Sequence, residues 1–252
     1  MKVLDQALHR RVLHSWRRAL RAVPDLSRAE LRRVQGRAQA LAPLLAEARA
    51  VAEGRLAVAA AGAATLPRPH GTDWAWRPDA WARPLPVPGR VALAPGTRLA
   101  DGLTLFHDGA RPELALRQAR NMRDGDRAPF GVVMDVFTFD GDFLSLVIDL
   151  PEAAMDGLDG DRLVQLDTHI ETESPLRIFA RLNIRHGPNT ARILREIPAD
   201  AAQSTVEFDL GYAGLNEKRI TQGWLDLIFE APRMNRVALR DVTLCRRRRA
   251  AL

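Results

Sequence analysis

Ten polar or aromatic side chains, spaced two residues apart along predicted strands, have the chemistry needed to bind a sugar. An aromatic ring can stack on a sugar ring, while carboxylate, amide and guanidinium groups hydrogen-bond its hydroxyls. The candidate ligand-binding residues are Trp224, Asp226, Glu230, Arg181, Asn183, Arg185, Glu207, Asp209, His169 and Glu171. They form one surface if their strands share a sheet. The alternative interpretation is a solvated outer face whose charges pair across strands.

Carboxylates on two of these strands could also support acid–base chemistry. Glu207 and Asp209 lie on one face of one predicted strand, and Asp226 and Glu230 lie on one face of another. Glycoside hydrolysis uses such a pair of carboxylates, but no motif here fixes the separation of an acid and a nucleophile. We therefore predict no catalytic residue. A glycan hydrolase or lyase is kept as an alternative, which requires two carboxylates, or a histidine and an arginine, to converge in a cleft.

The sequence contains no metal or cofactor motif. The histidines lack the spacing of a zinc site, and the single cysteine, Cys245, excludes an intramolecular disulfide and a cysteine-based metal cluster. Two Asp/Gly segments, 140–142 and 156–161, have the composition of calcium loops but lack the late glutamate. Turn chemistry is favoured over a structural calcium ion at both, so we expect no cofactor.

Period-two alternation predicts the strands that position these side chains. The predicted strands are 130–139, 143–150, 163–171, 177–185, 205–210, 223–230 and 236–244. Asp140-Gly141-Asp142 predicts a hairpin between the first two. Seven or more strands indicate a sandwich or barrel, with one helix predicted at 111–123. Residues 65–100, rich in proline and glycine and containing Trp74, Trp76 and Trp81, are interpreted as an ordered strap packed on the sandwich.

The first 60 residues predict Arg-rich helices. Apolar residues recur every four positions over 4–22, and Pro24 ends that helix. Ser27-Arg28-Ala29-Glu30 is a capping box for a second helix with heptad spacing. Pro43 predicts a kink or break in it, and Gly54 marks its expected end. We interpret the pair as a helical hairpin that docks on the sandwich or on another copy of the chain.

The predicted fold is therefore mainly β, an antiparallel, jelly-roll-like β-sandwich preceded by an Arg-rich helical hairpin. Its expected divisions are a helical extension (1–60), a Pro/Trp-rich strap (61–100), the sandwich (101–245) and a basic tail (246–252).

The charge distribution and the hydropathy of the chain limit the partners that we expect. The net charge is +6, with 12 basic and 5 acidic residues in 1–60 and four arginines in 246–249, so the remainder is mildly acidic. A nucleic-acid partner is not favoured by this distribution. The basic amphipathic helices suggest an anionic membrane surface, a protein partner or homo-oligomerisation through 1–60. We expect a cytoplasmic protein, with peripheral membrane association as an alternative, since no signal-peptide-like or spanning segment is apparent.

Two resemblances accompany this interpretation. Residues 224–230 and 237–244 resemble the closing strands of jelly-roll carbohydrate-binding modules, over about a third of the chain. Residues 71–78, 181–190 and 224–230 resemble an uncharacterised bacterial protein family across most of the chain, which implies no activity. Neither supplies residue roles. The leading hypothesis is a non-catalytic module that binds a glycan or glycoconjugate, with docking through the basic helices as the alternative.

Overall fold

The computed structural model describes residues 2–60, 66–198 and 202–249, apart from the side chains of 2–8 and of most positions in 50–60. The chain divides into two compact units, Met1–Arg49 and Ala50–Leu252. The helices are α1 (Lys2–Ala22), α2 (Arg28–Ala60), α3 (Asp79–Ala82) and α4 (Glu152–Met155). The strands are β1 (Thr72–Trp76), β2 (Gly89–Val91), β3 (Thr97–Ala100), β4 (Leu103–His107), β5 (Leu114–Arg120), β6 (Phe130–Val136), β7 (Phe143–Asp149), β8 (Arg162–Thr172), β9 (Ile178–His186), β10 (Asn189–Ile197), β11 (Gln203–Asp209), β12 (Ile220–Glu230) and β13 (Asn235–Arg248).

The capping box at the start of α2 is confirmed. The Ser27 amide donates to Glu30 Oε2 at 2.9 Å, and the Ser27 hydroxyl donates to the same oxygen at 2.6 Å. The hydroxyl of Ser27 holds the pKa of Glu30 below its usual value. The end predicted at Gly54 is wrong, because α2 continues to Ala60. Of the kink or break predicted at Pro43, the break is wrong, because the helix runs through this residue, and the kink stays a prediction. A proline removes one backbone donor, and the many Ala, Leu, Arg and Glu residues around it favour helix.

Apolar side chains of the first unit are open to solvent. Among its described residues, Leu20 is 73% exposed, and Leu44 and Leu45 are 61% and 66% exposed. The apolar residues with heptad spacing in α2 are therefore not buried within this unit. Docking or self-association through residues 1–60 stays a prediction. No helix among the described residues is long and apolar enough to cross a bilayer.

The second unit is a β-sandwich, which confirms the predicted fold class. One antiparallel sheet has the strand order β11-β8-β13-β6-β5-β2, with β1 pairing the far half of β13. The other has the order β10-β9-β12-β7-β4-β3. Alternate residues of the strands in both sheets fill the core between the sheets. They include the fully buried Leu146, Leu166, Leu225 and Phe229. Alternate residues therefore face outward on each sheet.

The hairpin predicted across 140–142 is wrong, because β6 and β7 belong to different sheets. The connection crosses the end of the sandwich and is fixed to the loop after β4. Asp108 accepts from the amides of Asp142 and Phe143, and Asp140 accepts from the amide of Ala110. A Cβ at Gly141 would clash with the Asp108 carboxylate and the backbone of Gly109. Asp140-Gly141-Asp142 therefore forms part of the connection that crosses from one sheet to the other.

The helix predicted at 111–123 is also wrong. Leu114 and Leu116 alternate into the core as part of β5, which pairs with β6 on one side and β2 on the other. Tertiary pairing overrides the local helical signal. The segment interpreted as a strap contributes β1, β2 and β3 to the two sheets, and β3 pairs with β4 across the expected division at 100/101. The division at 60/61 adjoins residues 61–65, which lie outside the described residues.

The strap's tryptophans pack as predicted. Trp81 has no exposed surface, and its Nε1 donates to the carbonyl oxygen of Leu239 at 2.8 Å. Trp74 and Trp76 stack with ring centroids 6.3 Å apart and contact the edge of the core. Arg77, which follows β1, pairs with Asp241 of β13.

The described part of the basic tail expected at 246–252 is mostly sheet, and residues 250–252 lie outside the described residues. Strand β13 runs through Arg248, and Arg246 is buried against Asp73, with Nε donating to Oδ1 at 2.9 Å. Arg247 and Arg249 form ion pairs with Glu207 and Asp209. Arg246 therefore links β13 to β1, and Arg247 and Arg249 link the end of the chain's last strand to β11, one strand beyond β8.

Candidate functional site

The ten predicted ligand-binding residues do not form one surface, because their strands do not share a sheet. Strands β9 and β12 belong to the six-stranded sheet and carry Trp224, Asp226, Glu230, Arg181, Asn183 and Arg185. Strands β8 and β11 belong to the seven-stranded sheet and carry His169, Glu171, Glu207 and Asp209. The two sets face outward on opposite sides of the core. The alternation of residues assigns each side chain to the correct face of its strand. Which side chains share a surface depends on the order of the strands in the two sheets.

The outward face of the six-stranded sheet carries a band of aromatic and apolar side chains. We call it the aromatic face and define it by Phe106, Phe143, Phe179, Trp224, Ile228 and the three arginines Arg181, Arg185 and Arg192. Register places Phe106 opposite Ser145, Ser145 opposite Ile228, and Ile228 opposite Phe179. This row crosses four strands, which is about 14 Å at the usual strand spacing.

Two rings of the aromatic face are strongly exposed. Phe106 is 42% exposed and Phe143 is 39% exposed, whereas the neighbouring Ser145 is 5% exposed. The short Ser145 side chain lies beside both rings, opposite Phe106 and two residues from Phe143 on β7. The ten predicted ligand-binding residues include neither of these two phenylalanines. Phe143 could have been found, since it alternates with Ser145 and Val147 in a predicted strand, whereas β4, which carries Phe106, was not predicted.

A buried polar cluster positions Arg181 on this face. Arg181 Nε donates to Asp226 Oδ2 at 2.8 Å, and Asn183 Nδ2 donates to the same oxygen at 3.0 Å. Asn183 and Asp226 are 1% and 3% exposed, so neither can contact a ligand directly. The Arg181 side chain is 41% exposed. Asp226 and Asn183 therefore act as positioning residues that present one edge of a guanidinium.

Guanidinium groups also lie over two of the rings. Arg185 is 5.7 Å from the centroid of Trp224, and Arg177 is 5.0 Å from that of Phe179, both within cation–π range. Arg177 also pairs with Glu196 at 3.3 Å and Glu230 at 3.0 Å. The hydrogen bond to Glu196, with the two nearby negative charges, raises the pKa of Arg177. Glu230 is therefore held within an ion-pair network at the end of the face.

The three predicted carboxylates on the other sheet are all held by ion pairs. Glu207 accepts from Arg247 at 2.6 Å, and Asp209 lies 3.1 Å from Arg249 and accepts from the Gly211 amide at 2.9 Å. Glu171 lies among Arg123, Arg240 and His169, with Arg240 Nη2 at 3.2 Å. These contacts match the alternative interpretation in which charges pair across strands.

A polar groove of about 310 Å³ opens on the same sheet. Its lining includes Asp167, His169, Asp241 and Arg127, so two carboxylates, a histidine and an arginine converge there. Both carboxylates are already occupied. Asp167 accepts from Thr205 at 2.6 Å and Gln165 at 2.8 Å, and Asp241 accepts from two nitrogens of Arg77. The lining meets the convergence that the hydrolase or lyase alternative requires, and that alternative stays a prediction.

Replacing Glu171 with glutamine should lower the free energy of unfolding by about 1 kcal/mol at neutral pH. Burial raises the pKa of Glu171, but the hydrogen bond from Arg123 and the charge of Arg240 outweigh it, so the folded pKa lies below its ordinary value. A lowered folded pKa adds stability above the unfolded pKa, and this is lost as pH falls through the folded value. Urea unfolding across acidic pH measures the change. A gap between wild type and variant that persists at the lowest pH would contradict this assignment.

Carboxylates of both calcium-like segments accept hydrogen bonds from backbone amides. Asp140 and Asp159 accept backbone amide protons from Ala110 and Asp161, and Gly160 donates to Glu217 at 2.9 Å. Among the described residues, no group of three or more histidine, cysteine, aspartate or glutamate side chains is arranged to hold a metal ion.

A family model matches residues 1–252, and its description is "Family of unknown function (DUF6478)". The chain belongs to this family. Comparison with curated proteins gave no match.

Several solved structures are similar to this chain at low identity. A family 11 carbohydrate-binding module from Clostridium thermocellum, in complex with a mixed-linked tetrasaccharide, is 13% identical with a TM-score of 0.37, covering 63% of this chain and 95% of that one. A CBM22-1 xylan-binding domain from Paenibacillus barcinonensis is 12% identical with a TM-score of 0.37, covering 65% and 98%. The enzymatically active domain of bacteriophage CBA120 tailspike protein 4 is 10% identical with a TM-score of 0.41, covering 57% of this chain and 19% of that one.

Proposed function

We propose that this protein is a glycan-binding β-sandwich and that the aromatic face is its binding surface. The observation that carries the proposal is the exposure of Phe106 and Phe143, which are diagonal neighbours on β4 and β7. Phe106 also belongs to the row that runs through Ser145 and Ile228 to Phe179. Solvent-exposed rings on a sheet are costly, since each leaves apolar area in water. A sugar ring stacked on them would remove that area from water.

Polar groups beside the rings complete the chemistry that a sugar requires. Arg181 presents one guanidinium edge beside the apolar row, and Asp226 and Asn183 fix its orientation from beneath. A guanidinium fixed in this way loses little conformational entropy on binding, which favours hydrogen bonds to hydroxyl oxygens. The face therefore combines apolar stacking surface with preorganised donors.

The double variant Phe106→Ala/Phe143→Ala tests the proposal. Removing both rings should weaken binding to a polysaccharide at least about tenfold, measured by affinity electrophoresis and titration calorimetry on the full chain against a panel of neutral and charged polysaccharides. Tyr212→Ala is the matched control, because Tyr212 is 86% exposed and lies after β11, outside the aromatic face. Circular dichroism and thermal unfolding verify that each variant folds.

Equal binding by the folded double variant and wild type would refute the assignment of the face. Vesicles containing anionic lipid belong in the same panel, because α1 leaves Val12 and Leu13 47% and 41% exposed among its arginines. Binding to those vesicles with no binding to any polysaccharide would instead support docking through the basic helices.

A further inference from the structure

Three guanidinium groups surround one position of the aromatic face. Asn183 is opposite Arg192 on β10, and Arg181 and Arg185 are its outward neighbours on β9. Diagonal neighbours of this kind are roughly 7–8 Å apart. Asn183 itself is buried, so it forms the floor and the three arginines form the rim.

The charge of this cluster is not balanced locally. Arg181 is paired with Asp226 at 2.7 Å, which uses the buried carboxylate nearest to it. Within the described part of the chain, neither Arg185 nor Arg192 forms an ion pair, and both are exposed. The next outward carboxylate in register, Asp149, lies on the far side of Trp224.

Several arginines elsewhere on the sandwich are neutralised by a carboxylate. Arg177, Arg236 and Arg247 each have a carboxylate partner, as Arg77 and Arg240 do. Three like charges at this diagonal spacing repel one another. Arg185 is also held over Trp224 by a cation–π contact, which fixes a donor beside a ring.

We propose that the ligand of the aromatic face is an anionic polysaccharide, whose carboxylate or sulfate groups are bound by Arg185 and Arg192. This inference rests on the proposed glycan-binding function and names the ligand class. A planar guanidinium binds a carboxylate or sulfate through two parallel hydrogen bonds. Trp224 and the row from Phe179 to Phe106 would contact the sugar rings of the same chain.

Two matched pairs of probes test the charge requirement. Polygalacturonate is compared with its methyl ester, and dextran sulfate with dextran, so that each pair differs in its anionic groups. Wild type should bind at least one charged member about tenfold more tightly than its neutral partner. The variant Arg185→Gln/Arg192→Gln should lose that preference while its binding to the neutral member stays within about twofold.

The control variant removes the same charge elsewhere. Arg90→Gln/Arg111→Gln changes two exposed arginines, one on β2 of the other sheet and one in the loop before β5. It should leave the preference intact. Raising the salt concentration should weaken binding of the charged member in wild type and leave the Arg185→Gln/Arg192→Gln variant nearly unchanged.

The outcomes separate this inference from the proposed function. Equal binding of charged and neutral members, or an equal loss in the Arg90→Gln/Arg111→Gln control, would overturn the anionic ligand while the aromatic variants could still abolish binding. Binding that is indifferent to both Phe106→Ala/Phe143→Ala and Arg185→Gln/Arg192→Gln would overturn both. Single-stranded DNA bound as tightly as the charged polysaccharides, and lost in Arg185→Gln/Arg192→Gln, would replace the ligand class with nucleic acid.

Discussion

Arg77→Met is expected to lower the free energy of unfolding of the sandwich by about 3–5 kcal/mol. Arg77 Nε and Nη2 donate to the two oxygens of Asp241 at 2.8 and 2.9 Å. The two side chains are 7% and 9% exposed, so the variant leaves the Asp241 carboxylate buried without a counter-charge. Urea unfolding followed by tryptophan fluorescence measures the loss.

A surface pair provides the matched control. Arg98 and Asp101 are 2.6 Å apart but 67% and 93% exposed, so Arg98→Met should cost less than about 1 kcal/mol. Replacing both partners, as Arg77→Met/Asp241→Leu, should recover much of the loss, because no unpaired charge is then buried. A cost for Arg77→Met no greater than that for Arg98→Met would show that water reaches Asp241 after all.

Trp81→Ala is expected to destabilise the sandwich by about 3–5 kcal/mol, the usual cost of deleting a buried aromatic side chain. Trp81 has no exposed surface and lies within the core cluster. Its Nε1 is hydrogen-bonded to the Leu239 carbonyl oxygen at 2.8 Å, so the variant leaves both a cavity and an unpaired acceptor. Thermal and urea unfolding measure the change.

Two further variants separate these contributions. Trp81→Phe keeps most of the ring but lacks the donor, and it should cost less than Trp81→Ala. Tyr212→Ala, at a position that is 86% exposed, should be within about 0.5 kcal/mol of wild type. If Trp81→Ala unfolded no more easily than Tyr212→Ala, the segment that carries Trp81 would not be part of the core.

The sequence predicted the strands whose two faces differ in polarity. Leu166 and Leu225 lie in strands with alternating apolar residues and were assigned correctly to the core. Strand β10 was missed because Arg192, Leu194 and Glu196 all face outward and its other face is only partly buried. Strand β5 was assigned to a helix because only two of its residues, Leu114 and Leu116, are buried apolar side chains. Short strands and edge strands contain too few buried residues for the alternation of apolar and polar residues to identify them.

The candidate site could be predicted only in part. The alternation of residues along a strand assigns each side chain to a face of the sheet, but it does not give the order of the strands. Arg181 and Trp224 were identified as outward residues, and they do share a face. His169 and Glu207 were grouped with them, although β8 and β11 lie in the other sheet. The burial of Asp226 could not be foreseen, since it depends on the neighbouring side chains that cover an outward position.

Strand β13 also determines the order in which the protein can fold. It pairs with β8 along one edge and with β6 and then β1 along the other, and its Arg246 contacts Asp73, 173 positions earlier. Contacts of such long range make folding slow. Until residues 235–248 leave the ribosome, the other three strands each keep an edge without a partner, and open edges can pair with other chains. The nascent protein therefore passes through an interval of heightened aggregation risk, which ends when this strand inserts into the sheet.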